Sequence, residues 1–232
     1  MESFTGAVAF LVKGGPIMVP LLAASFLAVA VTIERAVILA RASRDSGPLM
    51  RRVREALQRG AFDEAVRACE EANTPVGRVL AAGLRARHLP PERLEKVLEE
   101  EALSELPALN RRLVVLDTVI TIAPLLGLLG TVTGMIRSFG IMAVSGIDRP
   151  HGITGGVAEA LIATAVGLAI AITTLIAYNW FTEKVRDITS QMEIRATQLI
   201  NLLAEARAEP WSGRPGTDGP CYARDARVEA AE

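Results

Sequence analysis

The stretch Thr118–Ile136, TVITIAPLLGLLGTVTGMI, decides the fold because its 19 residues include no charged side chain. A helix needs roughly 20 apolar residues to cross the ~30 Å hydrocarbon core of a bilayer. Two further charge-free stretches exist, 20 residues at 14–33 and 23 residues at 160–182. Buried helices of a soluble bundle are the alternative, but such helices carry a polar stripe at every turn. The sequence therefore predicts an all-α integral membrane protein with three transmembrane helices.

The composition agrees with a membrane protein and disfavours several other classes. The chain has 232 residues, of which 50% are hydrophobic and 4% aromatic. The 25 basic and 26 acidic residues give a net charge of −1, so a nucleic-acid partner is not expected. Two cysteines and two histidines provide neither a disulfide framework nor a metal cluster. Without a recognisable nucleophile–base pair, we expect no enzyme activity, no metal and no cofactor.

Basic residues predict the orientation, because they concentrate on the cytoplasmic side of a membrane. There are fifteen from Arg35 to Arg112, one at Arg149 and seven after Glu183. We expect the N-terminus and the 138–158 connection to lie outside the cytoplasm, and the 41–112 segment and the C-terminus to lie in the cytoplasm. Cys69 and Cys221 would then be free thiols.

The first apolar stretch has a second interpretation, a cleaved signal peptide. Its run exceeds the ~7–15-residue apolar core of such peptides, and Glu2 does not suit their basic start. We therefore expect a retained anchor. The predicted segments are a periplasmic segment 1–13, spans at 14–40, 113–139 and 157–182, a cytoplasmic helical region 41–112, a periplasmic loop 140–156, a cytoplasmic helix 183–207 and a disordered tail 208–232.

Four helices are predicted within the region 41–112, each introduced by a capping residue or a proline. The glutamates of the fourth helix are interpreted as a solvated face rather than as a hydrolase site. Pro107 predicts a kink near the second span. The four helices are expected at about 47–60, 62–72, 75–88 and 91–112, with Asp63 and Thr74 as candidate caps of the second and third.

Small residues distinguish the second and third spans from the first. Small side chains let membrane helices approach closely, and hydroxyls can bond across the contact. Plain helix packing, without transport, is the alternative explanation of the same pattern. The predicted packing positions are Gly127, Gly130, Gly134 and Ser138 in the second span, and Ala160, Ala163, Gly167 and Ala171 in the third.

Thr131 and Thr164 are candidate pore-lining residues. Their hydroxyls either bond back to their own helices or line a hydrated contact. Arg137 and Glu159 lie near the outer ends of the spans, and no carboxylate lies at mid-span. If protons cross here, the titrating acid is either Glu159 or a group from another chain.

Two motifs resemble the MotA/TolQ/ExbB proton channel family. The first is IAPLLGLLGTVTGMI at 122–136, followed by Ser138-Phe139. The second is GVAEALIATAVGL at 156–168, followed by Ala171-Ile172 and Tyr178-Asn179. Ile33-Glu34-Arg35 is a weaker third match. The resemblance covers roughly residues 14–205, and three spans are closer to ExbB and TolQ than to four-span MotA.

The resemblance implies a homopentamer in the bacterial inner membrane, with its N-terminus in the periplasm, whose second and third spans line a central pore. That pore would hold a dimeric ExbD/TolR-like partner with one span per chain, whose aspartate carries the proton. Thr131, Thr164 and Glu159 match family positions on the proton pathway. A TonB- or TolA-like component or a motility component would transmit the work.

Some positions depart from the family pattern and leave the driven process open. ExbB often has Trp where Thr133 stands, and many members have Pro where Thr173 stands. Ala163 favours protons over sodium, because sodium-driven relatives tend to carry a hydroxyl there. The candidate processes are TonB-dependent uptake, Tol-type envelope maintenance and gliding-type motility. A non-conducting membrane scaffold is the alternative function.

Overall fold

The computed structural model describes residues 15–43, 45–145 and 150–208, and these ranges form seven helices with no strand among them. The predicted all-α class is confirmed. The predicted segment 1–13 and the predicted tail beyond Ala208, including Cys221, lie outside the described residues. The helices are α1 Met18–Ala42, α2 Gly47–Gln58, α3 Phe62–Ala72, α4 Pro75–Arg85, α5 Pro91–Asn110, α6 Leu113–Ser145 and α7 Pro150–Ala208.

Helices α1, α6 and α7 are long and apolar enough to cross a membrane. At a rise of about 1.5 Å per residue, the 33 residues of α6 and the 59 of α7 far exceed a ~30 Å hydrocarbon core. The loop predicted at 140–156 is therefore largely helical, since α6 runs to Ser145 and α7 begins at Pro150. A charge-free run predicts which residues lie within the bilayer. It does not predict where the helix ends, because the helix can continue beyond the bilayer.

The short helices α2, α4 and α5 pack on the C-terminal half of α7, and α3 packs on α2 and α4. Leu80 of α4, Leu98 of α5 and Leu199 of α7 are each no more than 2% exposed. Arg195 lies on α7, and its Nε donates to the Ser46 Oγ over 3.0 Å. This polar contact ties the start of α2 to α7.

Two predicted N-cap residues, Thr74 and Asp63, can be compared with the observed helix starts. Thr74 caps α4, since its Oγ1 accepts from the Gly77 N–H over 3.1 Å, as predicted. The predicted cap Asp63 is wrong, because Asp63 lies in the first turn of α3 and the N-cap residue is Ala61. Helices α2 and α4 end at Gln58 and Arg85, two and three residues before the predicted ends.

The junction between α5 and α6 is held by the end of α1. Helix α5 continues through Pro107 to Asn110, and the chain turns at Arg112, whose φ is 64°. Glu34 forms an ion pair with Arg112, and the buried Arg35 donates to the Ala108 carbonyl over 3.4 Å. The IER motif of the first span thus fixes the start of α6.

Candidate functional site

The contact between α6 and α7 brings their backbones together at glycines. A Cβ added at Gly167 would lie 2.5 Å from the Ala123 carbonyl oxygen, and one at Gly134 would lie 2.8 Å from the Gly156 carbonyl oxygen. Only a hydrogen atom fits at these positions, so the two helices are in close contact. All eight predicted packing positions are buried: Gly127, Gly130, Gly134, Ser138, Ala160, Ala163, Gly167 and Ala171.

Helix α1 covers one edge of this helix pair, which we call the α1 edge. A Cβ added at Gly130 would lie 2.5 Å from the Ala163 Cβ and 2.9 Å from the Ile17 Cγ2. Gly130 and Ala163 therefore face the side from which the segment leading into α1 approaches.

Thr131 and Thr164 lie at the opposite edge of the pair, which we call the threonine edge. Each directly follows a residue of the α1 edge, Gly130 or Ala163, and one residue turns a helix by about 100°. Because α6 and α7 are antiparallel, this turn rotates both side chains toward the same side. Both threonines are half-buried there.

The hydroxyl hydrogens of both threonines are directed to backbone carbonyls. Thr131 Oγ1 donates to the Leu128 carbonyl of its own helix over 2.7 Å. Thr164 Oγ1 donates across the contact to the Gly127 carbonyl over 3.0 Å. A hydroxyl has one hydrogen and two lone pairs, so each oxygen can still accept a hydrogen bond. The threonine edge thus presents two acceptors within an apolar surface.

Glu159 lies at the α1 edge, away from the two threonines. Arg137 Nη1 donates to both carboxylate oxygens, over 2.9 Å and 3.2 Å. The Glu159 side chain is 21% exposed and that of Arg137 53%. Gly15, three residues before α1, touches the same carboxylate. The structure therefore brings Thr131 and Thr164 to one edge and places Glu159 at the other.

The partner of Glu159 was not predicted from the sequence, although a signal was present. Arg137 and Glu159 are opposite charges at the facing ends of two consecutive antiparallel spans. A pairing rule for such ends would have joined them, because ionised side chains at membrane depth generally pair with one another.

The amino-acid sequence of this chain is similar to those of known membrane proteins. A sequence model of the MotA/TolQ/ExbB proton channel family matches residues 71–194. The putative biopolymer transport protein ExbB-like 3 of Synechocystis is 36% identical over 170 residues, covering 72% of this chain and 81% of the relative. The biopolymer transport protein ExbB of Aquifex aeolicus is 46% identical over 79 residues, 34% of this chain and 53% of the relative. The Tol-Pal system protein TolQ of Haemophilus influenzae is 44% identical over 77 residues, 32% of this chain and 33% of the relative.

Proposed function

The chain belongs to the MotA/TolQ/ExbB proton channel family, and from that premise we propose that it is the pore-forming subunit of a proton-driven motor in the bacterial inner membrane. Its general role is biopolymer transport of the ExbB/TolQ type. In the proposal, a homopentamer encloses a dimeric ExbD/TolR-like partner that has one span per chain. The motor couples the proton-motive force to TonB-dependent uptake, Tol-type envelope maintenance or gliding-type motility. The N-terminus is periplasmic, and a TonB- or TolA-like component receives the work.

The observation that supports this function is the shared edge of Thr131 and Thr164. Helix α1 occupies the other edge, and its outer face is apolar, with Val19 71% and Phe26 78% exposed. In a ring of subunits, such a face is suited to lipid. The threonine edge then faces the axis of the ring, where a partner helix would lie.

The chemistry of the threonine edge suits a carboxyl group that crosses in its protonated form. A neutral carboxylic acid has an O–H that donates to a hydroxyl oxygen, whereas a carboxylate can only accept. A lone carboxyl in a dry pore also favours its neutral form, because burial disfavours the charge. A partner carboxyl would therefore pass the threonine edge neutral and ionise where water reaches it. A membrane potential supplies about 2.3 kcal/mol per charge per 100 mV to bias such a step.

The experiment replaces each threonine hydroxyl and measures proton entry. Cells co-express the full chain with an ExbD/TolR-like protein that has one span, and receive an external acid pulse. A pH-sensitive fluorescent protein then reports cytoplasmic acidification. Because one neutral hydrogen bond contributes about 1 kcal/mol, Thr131→Val and Thr164→Val are expected to reduce proton entry about fivefold. Thr164→Ser keeps the hydroxyl and is expected to preserve it.

Thr173→Val is the matched control. Like the Thr131 hydroxyl, the Thr173 hydroxyl donates to a carbonyl of its own helix, that of Ala169 over 2.9 Å, and the Thr173 side chain is exposed. This variant is expected to conduct normally. If the wild-type chain admits no protons with its partner, or if the three valine variants behave alike, the proposed function is wrong.

A non-conducting scaffold is the second candidate, favoured by the backbone hydrogen bonds of both hydroxyls. Since each hydrogen is already satisfied, neither hydroxyl requires a pore to explain it. The scaffold predicts that Thr131→Val is harmless and that Thr164→Val lowers only stability. Proton entry no greater than in cells that lack the chain, for wild type and both variants at equal protein levels, would favour it.

A further inference from the structure

The Arg137–Glu159 pair lies where α6, α7 and the segment leading into α1 meet. Arg137 is near the end of the apolar part of α6, and Glu159 is near the start of that part of α7. Gly15, which leads into α1, closes over the carboxylate. Four-fifths of the Glu159 side chain is buried, so the carboxylate depends on the groups around it for stabilisation.

Both oxygens of Glu159 are engaged by the same guanidinium nitrogen. The two N–O distances are 2.9 Å and 3.2 Å, and the shorter one is typical of a charge-assisted hydrogen bond. The guanidinium therefore holds the carboxylate in one orientation.

The helix contact separates Glu159 from the threonine edge. Near this level, a Cβ added at Gly134 would lie 2.9 Å from the Ala160 Cβ and 2.8 Å from a backbone oxygen of α7. A gap that does not admit a methyl group does not admit a water molecule either. A proton on Glu159 thus has no water path between α6 and α7 to reach Thr131 or Thr164.

We propose that Arg137 is the positioning residue of the outer end, and that Glu159 is its fixed counter-ion rather than a proton carrier. This inference rests on the proposed function for its effect on proton entry. The pair joins α6, α7 and the entry to α1, and thereby sets the orientation of the threonine edge. The acid that titrates is then a group from another chain.

A charge exchange tests the proposal. The variants are Arg137→Glu, Glu159→Arg, the double exchange, Glu159→Gln and Arg137→Lys. Proton entry is measured in the co-expression assay, and the melting temperature is measured for the purified full chain in detergent. The control exchange uses Arg186 and Glu183, an exposed pair on α7 with an N–O distance of 3.6 Å.

A fixed ion pair predicts restoration by the double exchange. Each single reversal leaves like charges facing each other and is expected to reduce proton entry at least about tenfold and to lower the melting temperature. The double exchange is expected to restore proton entry to within about twofold of wild type, since the attraction is symmetrical. Arg137→Lys keeps the positive charge and is expected to conduct better than Arg137→Glu. The control exchange is expected to change neither quantity.

Proton entry decides between a counter-ion and a carrier. If the double exchange restores the melting temperature but not proton entry, Glu159 carries protons and the proposal is overturned. Failure to restore either quantity overturns the ion pair itself. If the wild-type chain admits no protons, the proposed function fails. The melting temperatures then decide the ion pair alone: restoration by the double exchange supports it, and no restoration overturns it.

Discussion

A single added methyl group at Gly167 is expected to separate α6 from α7. The new Cβ of Gly167→Ala would meet the Ala123 carbonyl oxygen at 2.5 Å and the Gly127 Cα at 3.2 Å. These neighbours are backbone atoms, so no side chain can rotate away. Reaching an ordinary contact of 3.4 Å requires a shift of about 0.9 Å between two helices that touch along much of their length.

The magnitude follows from two opposing contributions. Overpacking of a close contact costs about 1–3 kcal/mol. Alanine gains about 0.5–1 kcal/mol over glycine within a helix. The midpoints of these two ranges leave a net fall of about 1 kcal/mol in the free energy of unfolding, which lowers the melting temperature of a chain of this size by about 2–4 °C.

Gly140→Ala is the matched control for Gly167→Ala. Gly140 lies within α6, as Gly167 lies within α7, but an added Cβ at Gly140 would meet nothing within 4 Å. Only the helix contribution remains, so its melting temperature should rise by about 1–4 °C. Thermal unfolding of the full chain in detergent, followed by tryptophan fluorescence, measures both variants. Equal shifts, or a rise for Gly167→Ala, would refute the close backbone contact.

Two further predictions concern the helices α3–α5. Burial raises the pKa of the Cys69 thiol to about 12, so in a Cys221→Ser background Cys69 should react with iodoacetamide at pH 8 roughly 10³-fold more slowly than an ordinary thiol. Rapid labelling of the folded protein would contradict that burial. Arg78→Ala removes two hydrogen bonds, 2.5 Å and 2.6 Å long, from the nearly buried Glu105 carboxylate and should lower the free energy of unfolding by about 2 kcal/mol. Chemical denaturation measures this loss, and an unchanged midpoint would show that Glu105 needs no partner.

The predictable part of the fold is the part recorded in local sequence. A run of 19 to 23 uncharged residues is sufficient to predict a span, because the bilayer acts on each helix separately. Thr74 before Pro75 likewise identifies a helix start from two adjacent residues. Asp63 shows the limit of such rules. An aspartate stabilises a helix both at the N-cap and within the first turn, so its presence alone does not locate the first residue of α3.

The arrangement of the site required a third helix that local sequence does not place. The residues on the helix contact were predictable from their small size and spacing. Which edge of that contact holds α1 depends on packing between segments more than 100 residues apart, such as Ile17 against Gly130. Only with α1 in place do the threonine edge and the α1 edge become different surfaces.

This difference between the two edges changes the interpretation of Glu159, the carboxylate near the outer end of α7. From sequence alone, Glu159 and the threonines form one candidate pathway, because all three belong to the same two helices. Once α1 is placed, the carboxylate is bound by Arg137 on one side of a closed backbone contact, and the hydroxyl acceptors lie on the other. A pathway through the threonine edge then needs a carboxyl that the described part of the chain does not supply there. Under the proposed function, dependence on a second protein is a consequence of how three helices pack, and proton entry with and without a one-span ExbD/TolR-like protein measures that dependence.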